Sequence, residues 1–254
     1  MTDSENDHEL AARAADVAGK LLLEVRAQGL EGRALKDAGD MVAHEALMKL
    51  LAEHRPDDAV LSEEEHRGTE SRHDRHTADR VWIIDPLDGT REFSEPPRDD
   101  WAVHVALWEL GDLVAGAVAQ PGLGQTWHTG QPPVVPPSSA SRPRLVVSRT
   151  RPPAFVQALA EEIGAELVPM GSAGAKAMSV VRDVSDAYVH AGGQYEWDSA
   201  APVAVARAAG LFTSRVDGSP LVYNQDDVLL PDLVICRPEL AQLILEFVRT
   251  HGTD

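Results

Sequence analysis

The chain has 254 residues, a formal net charge of −18 at pH 7 and a single cysteine. A surface that binds nucleic acid needs clustered Lys and Arg to neutralise phosphates, so this acidic balance argues against that class of function. No run approaches the ~20 apolar residues that a membrane-spanning helix needs. The N-terminus is acidic and polar, unlike a signal peptide, and we expect a cytoplasmic protein without membrane partners.

The length suits one large domain or two small ones with a sizeable buried core. A lone cysteine cannot form an intramolecular disulfide. Because Cys236 lies in an apolar run, we expect it to be a buried structural thiol.

Apolar residues recur at helical spacing in the first part of the chain. They predict an amphipathic helix over residues 8–28, a polar connector over 36–40 and a second helix over 40–54. Asp40 would begin the second helix as its N-cap, since a short acidic side chain accepts the free N–H groups there.

Short apolar segments then predict a sheet. Its strands are residues 59–61, 81–84, 101–108, 113–119 and 125–128. Pro86 is predicted to end the second strand, because proline cannot donate to a strand ladder. Leu110, Gly111 and Asp112 predict a hairpin turn between the strands at 101–108 and 113–119. Residues 131–143 contain five prolines and three serines, which indicates a boundary.

Beyond that boundary, strands and helices alternate. The predicted strands are 145–147, 167–168, 187–189 and 233–236, and the helices are 153–163, 173–182, 198–209 and 240–250. Such alternation is typical of an α/β arrangement. We therefore predict an α+β N-terminal half, residues 1–135, and an α/β C-terminal half, residues 143–254.

Acidic side chains follow two of the predicted strands. Asp85 and Asp88 leave the strand at 81–84 within one tight turn, and Glu63 follows the strand at 59–61. Oxygen ligands on a rigid frame at one sheet edge are how a site for a hard cation is built. The alternatives are a simple Asp-Gly turn and a solvated run of glutamates.

The segment 67–79 is rich in polar residues and is predicted to be a mobile loop. His66, His73 and His76 lie in or beside it. They have no cysteine partners and their spacing fits no standard zinc ligand set, so we expect surface residues.

Two ordered motifs carry a resemblance to a known family. Residues 85–90, Asp-Pro-Leu-Asp-Gly-Thr, resemble the first signature of the inositol monophosphatase superfamily of metal-dependent phosphatases. Residues 197–201, Trp-Asp-Ser-Ala-Ala, followed by Ala-Ala-Gly at 208–210, resemble the second. Residues 91–93, Arg-Glu-Phe, are similar to a triplet in the 3′-phosphoadenosine-5′-phosphate phosphatases, or 3′(2′),5′-bisphosphate nucleotidases, of bacterial sulfur metabolism. Inositol phosphatases more often carry Thr-Asn-Phe there.

The resemblance spans nearly the whole chain and implies both fold and activity. The implied fold is a layered αβαβα sandwich, an α+β/α/β arrangement. The implied activity is hydrolysis of a phosphoric monoester that depends on two or three Mg²⁺ ions and is sensitive to lithium. A homodimer and a small phosphorylated nucleotide or sugar substrate are implied as well.

The resemblance also implies roles for individual residues. One ion would take Glu63, Asp85 and the Leu87 carbonyl, and the second would take Asp85, Asp88 and Asp198. Thr90 and Glu63 would position the attacking water, and Asp40 would orient Thr90 instead of capping a helix. The implied substrate-binding residues are Gly89, Thr90, Ser172, Lys176, His190 and Asp198.

Lys176 and His190 are the residues that bear on substrate choice. Lys176 lies in a Gly-rich turn at a helix start, where it would contact a second phosphate. A solvated lysine at a helix start is the alternative. His190 stands where relatives carry an arginine or a glutamate, so here the sequence departs from the family pattern.

Three other functions compete with a nucleotidase. The same mechanism could act on inositol 1-phosphate or fructose 1,6-bisphosphate. Aspartyl-phosphate phosphatases need two acids two residues apart, whereas Asp85 and Asp88 are three apart. A structural cation-binding module would need neither Thr90 nor the distant Asp198.

Overall fold

The computed structural model describes residues 6–66 and 74–253, in which two five-stranded sheets alternate with three pairs of helices. The predicted layered αβαβα sandwich is therefore confirmed. His73 and most of the loop predicted over 67–79 lie outside the described residues, as do the side chains of Glu65 and His66. No helix in the described ranges combines the length and the apolar character that a bilayer span requires.

The first sheet is built from the N-terminal part of the chain. Its strands, in order across the sheet, are β1 (Ala59–Ser62), β2 (Arg80–Asp88), β3 (Ala102–Glu109), β4 (Asp112–Gln120) and β5 (Gln125–His128). β1 and β2 are parallel, and the other neighbours are antiparallel. Helices α1 (Asp7–Arg26) and α2 (Gly32–His54) cover its outer face, and α3 (Glu63–His66) and α4 (Thr90–Phe93) are single turns beside it. A short 3₁₀ turn spans Pro121–Leu123.

The second sheet follows the proline-rich segment. Its strands are β6 (Arg144–Ser148), β7 (Glu166–Met170), β8 (Ala187–Tyr195), β9 (Phe212–Ser214) and β10 (Leu229–Cys236), in the order β7-β6-β8-β10-β9. The helices are α5 (Ala154–Ile163), α6 (Ala173–Val181), α7 (Glu196–Ala208) and α8 (Pro238–His251). α5 and α8 cover the outer face, whereas α6 and α7 lie between the two sheets.

Alternation along the strands divides the core between these layers. In β2, Trp82 and Ile84 pack under α1 and α2, whereas Val81 and Ile83 face the central helices. Successive strand side chains point to opposite faces, so one apolar strand can serve two layers. The central helix α7 approaches closely: a Cβ on Gly116 of β4 would lie 2.7 Å from the Cβ of Ala204.

The connector predicted over residues 36–40 is wrong, because α2 begins at Gly32 and runs through it. Leu35 is buried, and a Cβ on Gly39 would lie 2.8 Å from the Phe93 ring. Tertiary packing thus holds this polar stretch helical. Asp40 lies inside the helix and is not its N-cap.

Three other local predictions met different outcomes. β2 does not end at Pro86 but continues to Asp88, because Pro86 sits at an irregularity of the β2–β3 ladder where no N–H is needed. The hairpin turn is confirmed, with positive φ at both Leu110 and Gly111. Cys236 is buried as predicted, and burial raises the pKa of its thiol to about 12.

Candidate active site

Carboxylates from distant parts of the chain converge beside the end of β2. Oxygen atoms of Asp85, Asp88 and Asp198 all lie within 4.8 Å of one another. β1 and β2 are in register with Ser62 opposite Ile84, so Glu63 leaves its strand next to Asp85. The structure therefore brings together the acids of both sequence motifs.

Asp85 is the most enclosed carboxylate of the cluster, with 1% of its surface exposed. Its Oδ1 accepts the Leu87 N–H at 3.0 Å. Burial raises the pKa of Asp85 well above its usual value, and the negative charges of Glu63, Asp88 and Asp198 raise it further.

Asp88 is held by the turn that precedes α6. Its Oδ2 accepts the Ser172 hydroxyl and the Gly174 N–H at 2.7 Å, and its Oδ1 accepts the Ala173 N–H at 3.1 Å. Burial alone would raise the pKa of Asp88, but the charge and contact of His104, with help from Lys176, lower it to about 2. Asp88 is the carboxylate of this cluster that is kept ionised.

His104 connects Asp88 with the second motif. Its Nδ1 donates to the Trp197 carbonyl at 3.0 Å, and its Nε2 lies 3.2 Å from Asp88 Oδ2. Burial opposes protonation of the ring, but the charge of Asp88 outweighs it and raises the pKa of His104. Sequence analysis missed this residue, although a histidine inside an apolar strand was a signal.

Asp198 combines two roles. It lies in the first turn of α7, and its Oδ2 accepts the Tyr195 N–H at 2.6 Å, so it stabilises the helix start. It also belongs to the acidic cluster. Burial and then the charge of Asp88 raise the pKa of Asp198 to about 7.

Gly89 and Thr90 form the tight turn after β2. Gly89 has φ +84° and its Cα faces Ser172, where a Cβ would lie 3.0 Å from the serine Cβ. The Thr90 hydroxyl donates to the Leu87 carbonyl at 3.1 Å. The predicted binding of phosphate by this turn stays a prediction, as do the roles of Glu63 and Asp40.

Lys176 is placed differently from a solvent-facing phosphate ligand. It is 7% exposed, its Nζ donates to the Ser172 carbonyl at 2.5 Å, and it lies 5.1 Å from the centre of the Tyr188 ring. Burial lowers the pKa of Lys176, and the charges of Asp88 and Asp198 oppose that shift. The Lys176 ammonium therefore stabilises the turn at residues 171–174. Its direct contact with a substrate phosphate stays a prediction.

His190 is partly buried on β8, and its Nε2 lies 3.2 Å from the Gly193 carbonyl. Burial lowers the pKa of His190, and the nearby charge of Lys176 lowers it further, whereas the Gly193 contact opposes the shift. Neutral imidazole is therefore the favoured form near pH 7.

The cluster fits Mg²⁺ chemically. All of its ligand atoms are oxygens, which is what this cation accepts. The raised pKa values of Asp85 and Asp198 are caused first by burial and then by mutual repulsion, which a bound cation would offset.

Comparisons with known proteins agree with these motifs. The profile of the inositol monophosphatase family matches residues 3–253. A 3′-phosphoadenosine 5′-phosphate phosphatase of Mycobacterium tuberculosis is 50% identical over 241 residues, which cover 90% of this chain and 88% of that relative. The protein of the same name from Mycobacterium leprae is 48% identical over 257 residues, covering 96% and 93% of the two chains.

Solved structures agree with the fold as well. CysQ from Bacteroides thetaiotaomicron, described as a bacterial member of the inositol monophosphatase family, superposes with a TM-score of 0.73 at 26% identity. The match covers 90% of this chain and 96% of that one.

Proposed function

This chain belongs to the inositol monophosphatase family of phosphatases, and we propose that it removes the 3′-phosphate of 3′-phosphoadenosine 5′-phosphate, leaving AMP, with the help of Mg²⁺. The observation that carries the substrate is the match to two mycobacterial phosphatases of that name at about half identity over at least nine tenths of this chain. The Arg-Glu-Phe triplet at 91–93 supports the same branch.

Three of the residues proposed to hold the ions are acids whose oxygen atoms lie within 4.8 Å of one another. Glu63, Asp85 and the Leu87 carbonyl would hold one ion, and Asp85, Asp88 and Asp198 the other. Mg²⁺ supplies positive charge at the reacting phosphate and favours ionisation of a bound water. Asp88 suits this task, since its lowered pKa keeps it ionised at neutral pH.

Thr90 is proposed to orient the attacking water together with Glu63. A threonine hydroxyl has one proton, which it now donates to the Leu87 carbonyl. If Asp40 accepts that proton instead, the Leu87 carbonyl keeps both lone pairs for the ion and the Thr90 oxygen can accept from water. The packing of the neighbouring Gly39 against Leu87 and Phe93 supports this role, because it brings α2 against the turn that carries Thr90.

The bisphosphate brings a second phosphate that an inositol monophosphate lacks. Ser172, Lys176 and His190 are proposed to form the side of the site that receives it. The enclosed position of Lys176 favours an indirect contribution, in which its charge lowers the cost of a nearby anion while its ammonium holds the turn.

Phosphate release across a substrate panel tests the proposal. The panel contains 3′-phosphoadenosine 5′-phosphate, its 5′-phosphosulfate form, inositol 1-phosphate and fructose 1,6-bisphosphate, each with Mg²⁺ and with excess chelator. We expect kcat/KM to be highest for an adenosine bisphosphate and activity to vanish with chelator. A higher kcat/KM for inositol 1-phosphate or fructose 1,6-bisphosphate would reject the nucleotidase.

A further inference from the structure

We propose that Glu92 is a positioning residue for the cation site, which it supports by fixing the turn at residues 171–174 against Asp88. This inference rests on the proposed function only in taking the acidic cluster as a divalent-cation site. It gives the middle residue of the Arg-Glu-Phe triplet a physical role that its sequence position alone does not reveal.

Glu92 is a buried acid of α4 with one dominant partner. It is 7% exposed, and Arg149 Nε donates to its Oε1 at 2.6 Å. Arg149 follows β6, and its own N–H donates to the Met170 carbonyl at 3.2 Å. The pair therefore ties the end of the first signature to the segment that enters the turn.

The same carboxylate lies directly under the turn. A Cβ on Gly171 would lie 2.2 Å from Glu92 Cγ and 2.6 Å from its Oε1. Any residue larger than glycine at this position would therefore clash with the Glu92 side chain. Glu92 cannot simply swing away, since Arg149 holds it. Asp100 secures the same glycine from another side by accepting its N–H at 2.6 Å.

The turn in turn determines where Asp88 lies. Ser172, Ala173 and Gly174 supply three hydrogen bonds to its carboxylate. A shift of Gly171 moves these donors together, because they are consecutive in the chain. Loss of Glu92 should therefore displace Asp88 and weaken cation binding before any substrate is present.

This role predicts no discrimination between nucleotides and other phosphate esters. Glu92 acts on a carboxylate that every substrate would need, so bisphosphate and monophosphate substrates should lose turnover to a similar extent. Loss of a residue that contacts the second phosphate would instead reduce turnover of the bisphosphate alone.

The test measures Mn²⁺ binding to the full chain by electron paramagnetic resonance without substrate, after the melting temperature of each variant has shown that it is folded. Glu92→Ala is expected to weaken Mn²⁺ binding about tenfold, the low end of the cost of disturbing the hydrogen bonds that hold a ligand, because the donors to Asp88 would be displaced. Glu92→Gln keeps an acceptor for Arg149 and should restore binding to within about threefold of the wild type. The matched control is Glu95→Ala, which removes the other, more exposed partner of Arg149 and should change binding by less than about twofold.

A second variant approaches the same contact from the opposite side. Gly171→Ala should also weaken Mn²⁺ binding, but it should add little in a Glu92→Ala background, where the space has been opened. Unchanged Mn²⁺ binding in Glu92→Ala, or a loss confined to KM for the bisphosphate, would overturn the inference. Since Mn²⁺ binding is read without substrate, failure of the nucleotidase proposal would leave this result interpretable.

Discussion

Asp198→Asn is expected to stabilise the metal-free protein at alkaline pH, although it removes a proposed metal ligand. The asparagine oxygen can still accept the Tyr195 N–H, so the start of α7 is retained. What changes is the charge, which lies within 4.8 Å of the carboxylates of Asp85 and Asp88.

The magnitude follows from the pKa of Asp198 and from the separation of the charges. The pKa of Asp198 rises from 3.8 to about 7 in the folded chain, which corresponds to about 4 kcal/mol. Two charges 4.8 Å apart at an effective dielectric constant near 20 repel by about 3.5 kcal/mol.

The sign depends on pH. Below the pKa that Asp198 has in the unfolded chain, its carboxyl is protonated in both the folded and the unfolded state. Its charge then makes no contribution to the free energy of unfolding. As pH rises towards the folded pKa, the unfolded state loses its proton first, so the wild type loses stability until about pH 7. Urea unfolding with chelator should thus show a gain of up to about 4 kcal/mol for the variant at pH 8 and about 1 kcal/mol at pH 4.5.

Excess Mg²⁺ provides the control. The wild type should gain stability from the ion, whereas Asp198→Asn should gain much less. The difference between their free energies of unfolding should therefore become smaller or change sign. A variant that is less stable than the wild type with chelator at pH 8 would refute the reasoning about repulsion.

Three further outcomes are expected. Asp85→Asn should keep the fold, which circular dichroism can show. It should reduce turnover to below about a tenth of the wild type, since a ligand of both proposed ions is lost. Higher residual turnover would contradict the two-ion assignment. Activity should require Mg²⁺, fall with added lithium and be blocked by Ca²⁺, which is larger and less strict in its coordination geometry. Initial rates at a fixed substrate concentration measure these effects, and full activity with excess chelator would contradict the requirement for a cation. Lys176→Ala should lower the melting temperature and reduce kcat/KM on inositol 1-phosphate, because the ammonium holds the turn. The reduction should be larger on 3′-phosphoadenosine 5′-phosphate, which also loses the positive charge near its second phosphate. A loss of about tenfold or more confined to KM for the bisphosphate would instead show direct contact with the second phosphate.

Sequence patterns predicted most elements and the acids at the end of β2 because both depend on short-range signals, whereas the layered fold and the part played by Asp198 came from the family resemblance. Strand alternation and helical spacing indicated most elements, and the motif around Asp85 and Asp88 marked a strand end rich in oxygen ligands. β9 was missed because three residues at a sheet edge give no periodic signal.

The residues that hold the acidic cluster in place could not be predicted from sequence patterns, because their roles depend on contacts between residues that are distant in the chain. Ser172 reaches Asp88 across a sequence separation of 84, and Arg149 reaches Glu92 across 57. Lys176 has the sequence of an exposed helix-start lysine, yet the packing of α6 under Tyr188 encloses it. Likewise, only packing against Phe93 and Leu87 reveals that the helix containing Asp40 begins well before it.

The most direct test of the central claim is the identity of the products formed from 3′-phosphoadenosine 5′-phosphate. Separation of the nucleotides by chromatography after incubation with Mg²⁺ should show adenosine 5′-phosphate and an equal amount of inorganic phosphate. Neither product should form with excess chelator, and Asp85→Asn should form both at less than about a tenth of the wild-type rate. Formation of adenosine 3′-phosphate, or product formation that persists with chelator, would contradict a cation-dependent 3′-phosphatase.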